Sequence, residues 1–411
     1  MERPERHQMA WEAVDLDSLI PLDHRARLVW EYVEELDLSL FLVAIKAVEG
    51  HSGRPATDPA VLAALWLYAT LEGVGSARAL ERLCREHNAY RWLCGGVGVN
   101  YHTLADFRVR HTNKLEKLMT EGIAALMNEG LVDLQRVAQD GMKVRANAGA
   151  ASFRTPEGLV ECLEQAQEQV QQLKGELDED PAASSRRQEA AKRRAVQERQ
   201  AKVKRALKAA KKVDKARRRG HGFSQEEGRG STTDPDARVM KMSDGGYRPA
   251  FNAQLATDTK TQVIVGVDVI QSGSDFGALL PMADQIEERL GVRPREWLAD
   301  GGFVAHDAIR EMARRGCRVY APPTKGCKRR NPYRPRPGEE GAIARWRRRM
   351  GTASGQAKYR ERAATAECVN ALARMRGLRQ FLVRGLEKAK AVLLWFALAH
   401  NLMRSRALRP A

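Results

Sequence analysis

The sequence predicts a mixed α/β fold: a helical block, then a sheet, with a long helical hairpin inserted after the first strand. Three observations predict it. Helix signals with short breaks run from Leu19 to about Gly130. Val137-Ala138-Gln139-Asp140-Gly141-Met142-Lys143-Val144 and several later segments read as strands with helices between them. Between the first strand and the rest, apolar residues recur at spacings of four and three. The expected divisions are a helical block at 1–130, the first strand of the sheet at 131–150, a basic hairpin at 151–223, and the remainder of the sheet domain at 224–411.

In the first block, Asp58-Pro59 is an N-cap followed by proline at the first helical position, and the run Val61 to Tyr68 is apolar enough for a buried helix. Gly73-Val74-Gly75 breaks it, and Ser76 caps a helix carrying Arg78, Arg82 and Arg85 on its polar side. Helix, glycine turn and basic helix form a helix-turn-helix pattern, which small helical bundles also contain. Thr103 to His111, with Arg108 and Arg110, offers a competing recognition surface.

In the hairpin, Leu159, Leu163, Ala166, Val170, Leu173 and Leu177 mark a coiled-coil seam, and a break follows at Asp178 to Pro181. Val196, Val203, Ala206, Ala210 and Val213 continue the pattern on a second, densely basic arm that includes Arg205, Lys208 and Lys212. A charge run is ordinarily a solvated face. Like charges this dense repel one another, which favours contact with a polyanion.

Ser224 to Asp236 reads as a linker, followed by strands at Phe251–Ala256 and Val263–Ile270. Asp275 is expected to cap the helix containing Leu279, Leu280, Met282 and Ile286. A strand ending at Asp300, a helix at Ala308–Arg314 and a strand at Cys317–Tyr320 come next. Helix Ala389–Met403 is apolar nearly all round, as core helices are.

Composition narrows the function. A net charge of +17 and an isoelectric point near 9.8 point to a polyanionic partner, with nucleic acid the leading candidate. The longest apolar run, Ala391 to Ala399, is too short to cross a bilayer, and no signal peptide opens at Met1-Glu2-Arg3, so a cytoplasmic location is expected. The six cysteines and nine histidines are scattered without metal-ligand spacing. Any metal is therefore expected on oxygen ligands, which favours Mg²⁺ or Mn²⁺.

Asp is depleted in strands, so Asp140 needs a reason; a turn or bulge at Asp-Gly is one, and a metal site is another. Trp297-Leu298-Ala299-Asp300-Gly301-Gly302 repeats the pattern of a strand running into a carboxylate and glycine, and Glu367 opens a helix downstream. The basic stretch from Lys325 to Arg349 contains Trp346, suited either to stacking on an unpaired base or to packing on the sheet edge.

In order and element type these carboxylates resemble those of bacterial insertion-sequence transposases of the DDE superfamily, in the IS five-like branch that includes the IS eleven-eighty-two group. Asp140 in Gln-Asp-Gly-Met-Lys-Val matches the first carboxylate, and Asp300, followed by Phe303, matches the second. Tyr359, Arg362, Glu367 and Arg374 resemble the family's Tyr, Arg, Glu, Lys signature, with Glu367 one residue late and arginine in the lysine position. Glu361 is a rival third carboxylate. The resemblance implies a ribonuclease H-like sheet and two Mg²⁺ (or Mn²⁺) ions on Asp140, Asp300 and Glu367. It implies double-stranded DNA as partner, both terminal inverted repeats and target, a homodimer that pairs two ends, a nucleoid-associated location, and no organic cofactor. Lys143, Tyr359, Arg362 and Arg374 are then expected to hold DNA phosphates. A related nuclease without strand transfer and a domesticated DNA-binding protein are the alternatives.

Overall fold

The computed structural model describes residues 15–43, 45, 56–179, 186–219, 228–323, 331–339 and 341–409. The Asp180-Pro181 break, the linker through Glu227, Lys325 and the side chains of Leu173 and Leu177 lie outside the described residues.

Seven helices lead: α1 (Arg25–Glu34), α2 (Ser39–Leu42), α3 (Pro59–Leu71), α4 (Ala77–Glu86), α5 (Asn88–Cys94), α6 (Tyr101–Arg110) and α7 (Thr112–Asn128). The Asp58 carboxylate accepts from the Ala60 amide at 2.8 Å, and Pro59 opens α3, so the N-terminal signals act as read. Nearly every side chain of α3 is buried, which makes it the axis of the block. The Ser76 hydroxyl accepts from the Ala79 amide to start α4.

β1 (Arg136–Arg145) is the centre of the sheet. It is followed by β2 (Phe153–Arg154), α8 (Pro156–Glu179), α9 (Arg186–Arg219), β3 (Gly230–Ser231), β4 (Arg238–Lys241), β5 (Tyr247–Asp258) and β6 (Ile264–Ile270). Then come α10 (Leu279–Leu290), β7 (Glu296–Leu298), α11 (His306–Arg314), β8 (Arg318–Tyr320), α12 (Gly341–Met350), α13 (Ala353–Arg362), α14 (Cys368–Met375) and α15 (Leu386–Leu408). β5 is flanked on one side by β4 and β6 and on the other by β1, and β7 and β8 follow. β6, β5 and β1 run antiparallel; β1, β7 and β8 run parallel. β1 pairs with β5 without interruption from Val137 to Arg145, so Asp140-Gly141 is neither a turn nor a bulge.

α8 and α9 pack antiparallel. Leu159, Ala166, Val203, Ala206 and Ala210 are buried between them, and Arg199 donates to Gln169 at 2.9 Å farther out. β2 and β3 pair at the root, and Gly230 passes so close to the Ala206 carbonyl that no side chain fits. Arg205 is bound to Asp236 at 2.7 Å, and the same carboxylate accepts from the Leu386 amide at the start of α15.

α15 is buried along most of its length, between the leading helices and β6. Its His400 ring lies 2.8 Å from the Gln262 carbonyl, and burial, with Arg376 and Arg404 nearby, holds the imidazole pKa down to about 4 against the usual 6.5. The fold thus prefers the neutral ring. Stability is complete above the free value and is lost as pH falls from 6.5 toward about 4, by roughly 3 kcal/mol at most. His400→Gln keeps a donor without a titration, so melts across this window should lose part of their pH dependence; an unchanged profile would place the titration elsewhere.

Candidate carboxylate site and DNA-facing surfaces

Asp140 sits mid-strand on β1 with its side chain only 16% exposed. Its Oδ1 lies 3.2 Å from Arg362 Nη1, and its Oδ2 accepts from Asn370 Nδ2 at 2.9 Å. Arg362 Nη2 reaches Glu367 Oε1 at 2.6 Å, so one guanidinium bridges Asp140 and Glu367. Asp300 follows β7, the parallel neighbour of β1, and its Oδ1 accepts from the Gly302 amide at 2.7 Å. Burial pushes the Asp140 carboxyl up to about 6; Arg362 opposes the shift, and the Asp300 and Asp275 charges add to it.

The spacing from Arg362 to Glu367 has a structural cause. Residues Ala363–Glu367 form a π turn between α13 and α14, which takes one more residue per turn than an α-helix. Glu367 therefore meets Arg362 five residues on, where an α-helix would present the residue four on. Glu361 points elsewhere. It is exposed and pairs with Arg136 at the start of β1, which also binds the buried Glu296 shared with Lys358 and Tyr320, roughly 13 Å along the strand from Asp140 at ~3.3 Å per residue.

The donor set is suited to a hard divalent cation, since every candidate ligand is a carboxylate and the Asp140 charge is under-compensated. As placed, no three His, Cys, Asp or Glu among the described residues converge on one ion position. The Arg362 guanidinium supplies the positive charge there.

Behind Asp140, on the opposite face of β1, Gly141 lies against Asn252, Gln254 and Asp275. Asp275 does not cap α10, which begins after Ala278; its carboxylate accepts from Asn252 at 2.8 Å and Gln254 at 2.6 Å. A side chain at 141 would strike these groups, which explains the glycine. Asn370, and Asp275 in this role, were not foreseen from the sequence.

The DNA-contact expectations divide. Arg78, Arg82 and Arg85 are exposed on α4, with Arg78 stacked 4.9 Å over Tyr101. Arg110 is exposed and paired with Asp106 at 2.7 Å. Arg108 is corrected: it is 8% exposed, donates to the Gly75 carbonyl at 2.5 Å and stacks 4.4 Å over Trp66, so it is no surface reader. Trp346 is corrected too. It is buried, its Nε1 donates to the Ala321 carbonyl at 3.0 Å, and no base can stack on it. Both residues sit at helical spacing from buried apolar neighbours, Leu104 four before Arg108, Ile343 three before and Met350 four after Trp346, and that periodicity was the available signal.

Lys208 and Lys212 are exposed on α9, whereas Arg205 is committed to Asp236. Arg374 is exposed beyond the π turn, and Tyr359 is half-buried with the Arg362 guanidinium 5.9 Å from its ring. Lys143 pairs in register with Asn252 on the face away from Asp140. No described helix is long and apolar enough to cross a membrane.

Residues 14–110 match the family described as Transposase domain (DUF772), and residues 213–402 match the family described as Transposase DDE domain. No curated protein and no solved structure matches the chain. The DDE match carries with it the ribonuclease H-like fold, in keeping with the mixed sheet centred on β1. Taken together, the two matched stretches place the chain in the insertion-sequence DDE transposase family.

Proposed function

We propose that this transposase cuts phosphodiesters at the terminal inverted repeats of its own element and joins the freed 3′-hydroxyl ends to target DNA. The observation that carries the reading is the Arg362 bridge between Asp140 and Glu367, with Asp300 just past the end of the adjoining parallel strand. Asp140, Asp300 and Glu367 are the proposed catalytic carboxylates and the proposed holders of two Mg²⁺ or Mn²⁺ ions. When bound, such ions supply a polarised water or hydroxyl and neutralise charge on the reacting phosphate. Asn370 fixes the Asp140 carboxylate by its hydrogen bond, and the Asp140-facing end of Arg362 is released to a phosphate oxygen as DNA enters. Arg374 and Tyr359 border the same approach. The motifs around Asp140, Asp300 and Glu367 favour the IS five-like branch and its IS eleven-eighty-two group.

End recognition is assigned to α4 through Arg78, Arg82 and Arg85, and to Arg110. Phosphate contact is assigned to the hairpin, read as a coiled coil, through Lys208 and Lys212. Pairing of two ends calls for a homodimer. The test incubates the protein and Mg²⁺ with duplexes ending in the element's repeat or in a scrambled repeat. Cleaved and joined products from the true repeat alone are expected, and Arg78→Gln with Arg82→Gln and Arg85→Gln should erase the preference. Cleavage with no joined product would support the nuclease alternative.

A further inference from the structure

A cavity of about 200 Å³ lies where the turn after α3 meets the loop after α14, lined by Gly75, Arg108, Arg376, Arg379 and Phe396 among others. Its described walls contain three arginines and no carboxylate. Arg108 is more than nine-tenths buried, and its Nε has no acceptor among the described residues. Nη1 of Arg376 is likewise buried without an acceptor. Glu72, whose field reaches Arg376, is itself engaged by Arg25 at 2.8 Å.

The walls are set by backbone. Gly73 and Gly377 both take left-handed conformations, φ 73° and 81°, and a Cβ on Gly377 would stand 2.8 Å from the Gly73 carbonyl oxygen. The two turns therefore touch main chain to main chain. Leaving buried guanidinium N–H groups without acceptors is costly, and burial holds the Arg108 pKa down to about 10. A tetrahedral oxyanion in the cavity would offer acceptors to the arginines that line it, a geometry that guanidinium groups match closely.

We propose that this cavity is a phosphate-binding site, in which oxygens of a phosphoryl group accept from Arg108 and Arg376, with the exposed Arg379 beside them. The cavity is too small for a duplex, so the phosphate is either a free anion or one presented at a DNA strand end. The site shares no residue with the carboxylate centre, and the inference stands independently of the cleavage reading.

The test is titration of the full chain with inorganic phosphate in magnesium-free buffer at matched ionic strength, followed by calorimetry and thermal melts. A saturable rise in melting temperature is expected for the wild type. Arg376→Gln should bind at least ~10-fold more weakly, about 1.4 kcal/mol, with Arg376→Lys intermediate. In phosphate-free buffer Arg376→Gln should melt no lower than the wild type, because it removes an unpaired buried charge. No saturable shift in the wild type, or an equal shift in Arg376→Gln, would overturn the proposal. A second arm adds single-stranded oligonucleotides with a 5′-phosphate or a 5′-hydroxyl to the phosphate-loaded protein. Selective displacement by the phosphorylated strand assigns the site to DNA ends; binding without displacement assigns it to the free anion.

Discussion

Asp140→Ala, Asp300→Ala and Glu367→Ala are each expected to reduce metal-dependent cleavage of element ends by on the order of 10³-fold or more, because the remaining carboxylates cannot balance two divalent charges. Folding should survive. Asp140 carries a buried charge that the chain under-compensates, so its removal relieves repulsion with Asp300 while Asn370 loses one acceptor. Metal binding has its own readout: Mg²⁺ should raise the melting temperature of the wild type by mass action and leave Asp140→Ala unmoved. Glu361→Ala is the paired control. It breaks the ion pair with Arg136 and should lower stability while leaving cleavage near the wild-type rate. Robust cleavage by Glu367→Ala together with an inactive Glu361→Ala would transfer the third role to Glu361.

Neutralising one face of the hairpin should have the largest effect on DNA affinity. Lys208, Lys211, Lys212 and Lys215 are exposed on α9 at the spacing of a single helical face, apart from the buried Val203, Ala206 and Ala210. Replacing all four by Gln leaves the packed seam intact and relieves repulsion between neighbouring lysines. Each phosphate that is no longer neutralised takes ~0.9 off the dependence of log affinity on log salt, so the slope should flatten by roughly 3 to 4 units. The effect should be the same on true and scrambled ends. An unchanged slope would make the face a solvated one.

Much of this was legible in the sequence, and the reasons are local. Asp58-Pro59 announced α3 because an N-cap needs only its own next two residues, and Asp140 stood out because a carboxylate in a strand must be accounted for. Of the residues spaced as a seam in the hairpin, Leu159, Ala166, Val203, Ala206 and Ala210 are buried. What was hidden depends on distant partners: Asn370 reaches Asp140 across 230 positions, and Asp275 turned from its helix toward Asn252 and Gln254. The π turn was hidden differently. Its trace in the sequence is one extra residue between Arg362 and Glu367, which reads as a departure from pattern until the widened turn restores the shared face. Arg108 and Trp346 misled because charge and aromaticity were weighed above the periodicity that buries them.

The Asp236 carboxylate joins Arg205, on the outer arm of the hairpin, to the first amide of α15. That junction ties the root of the arm to the body of the protein. That helix runs through the interior between the leading helices and the sheet. On the proposed DNA-contact reading, a duplex held along the hairpin is tethered to the same body that carries Asp140, Asp300 and Glu367.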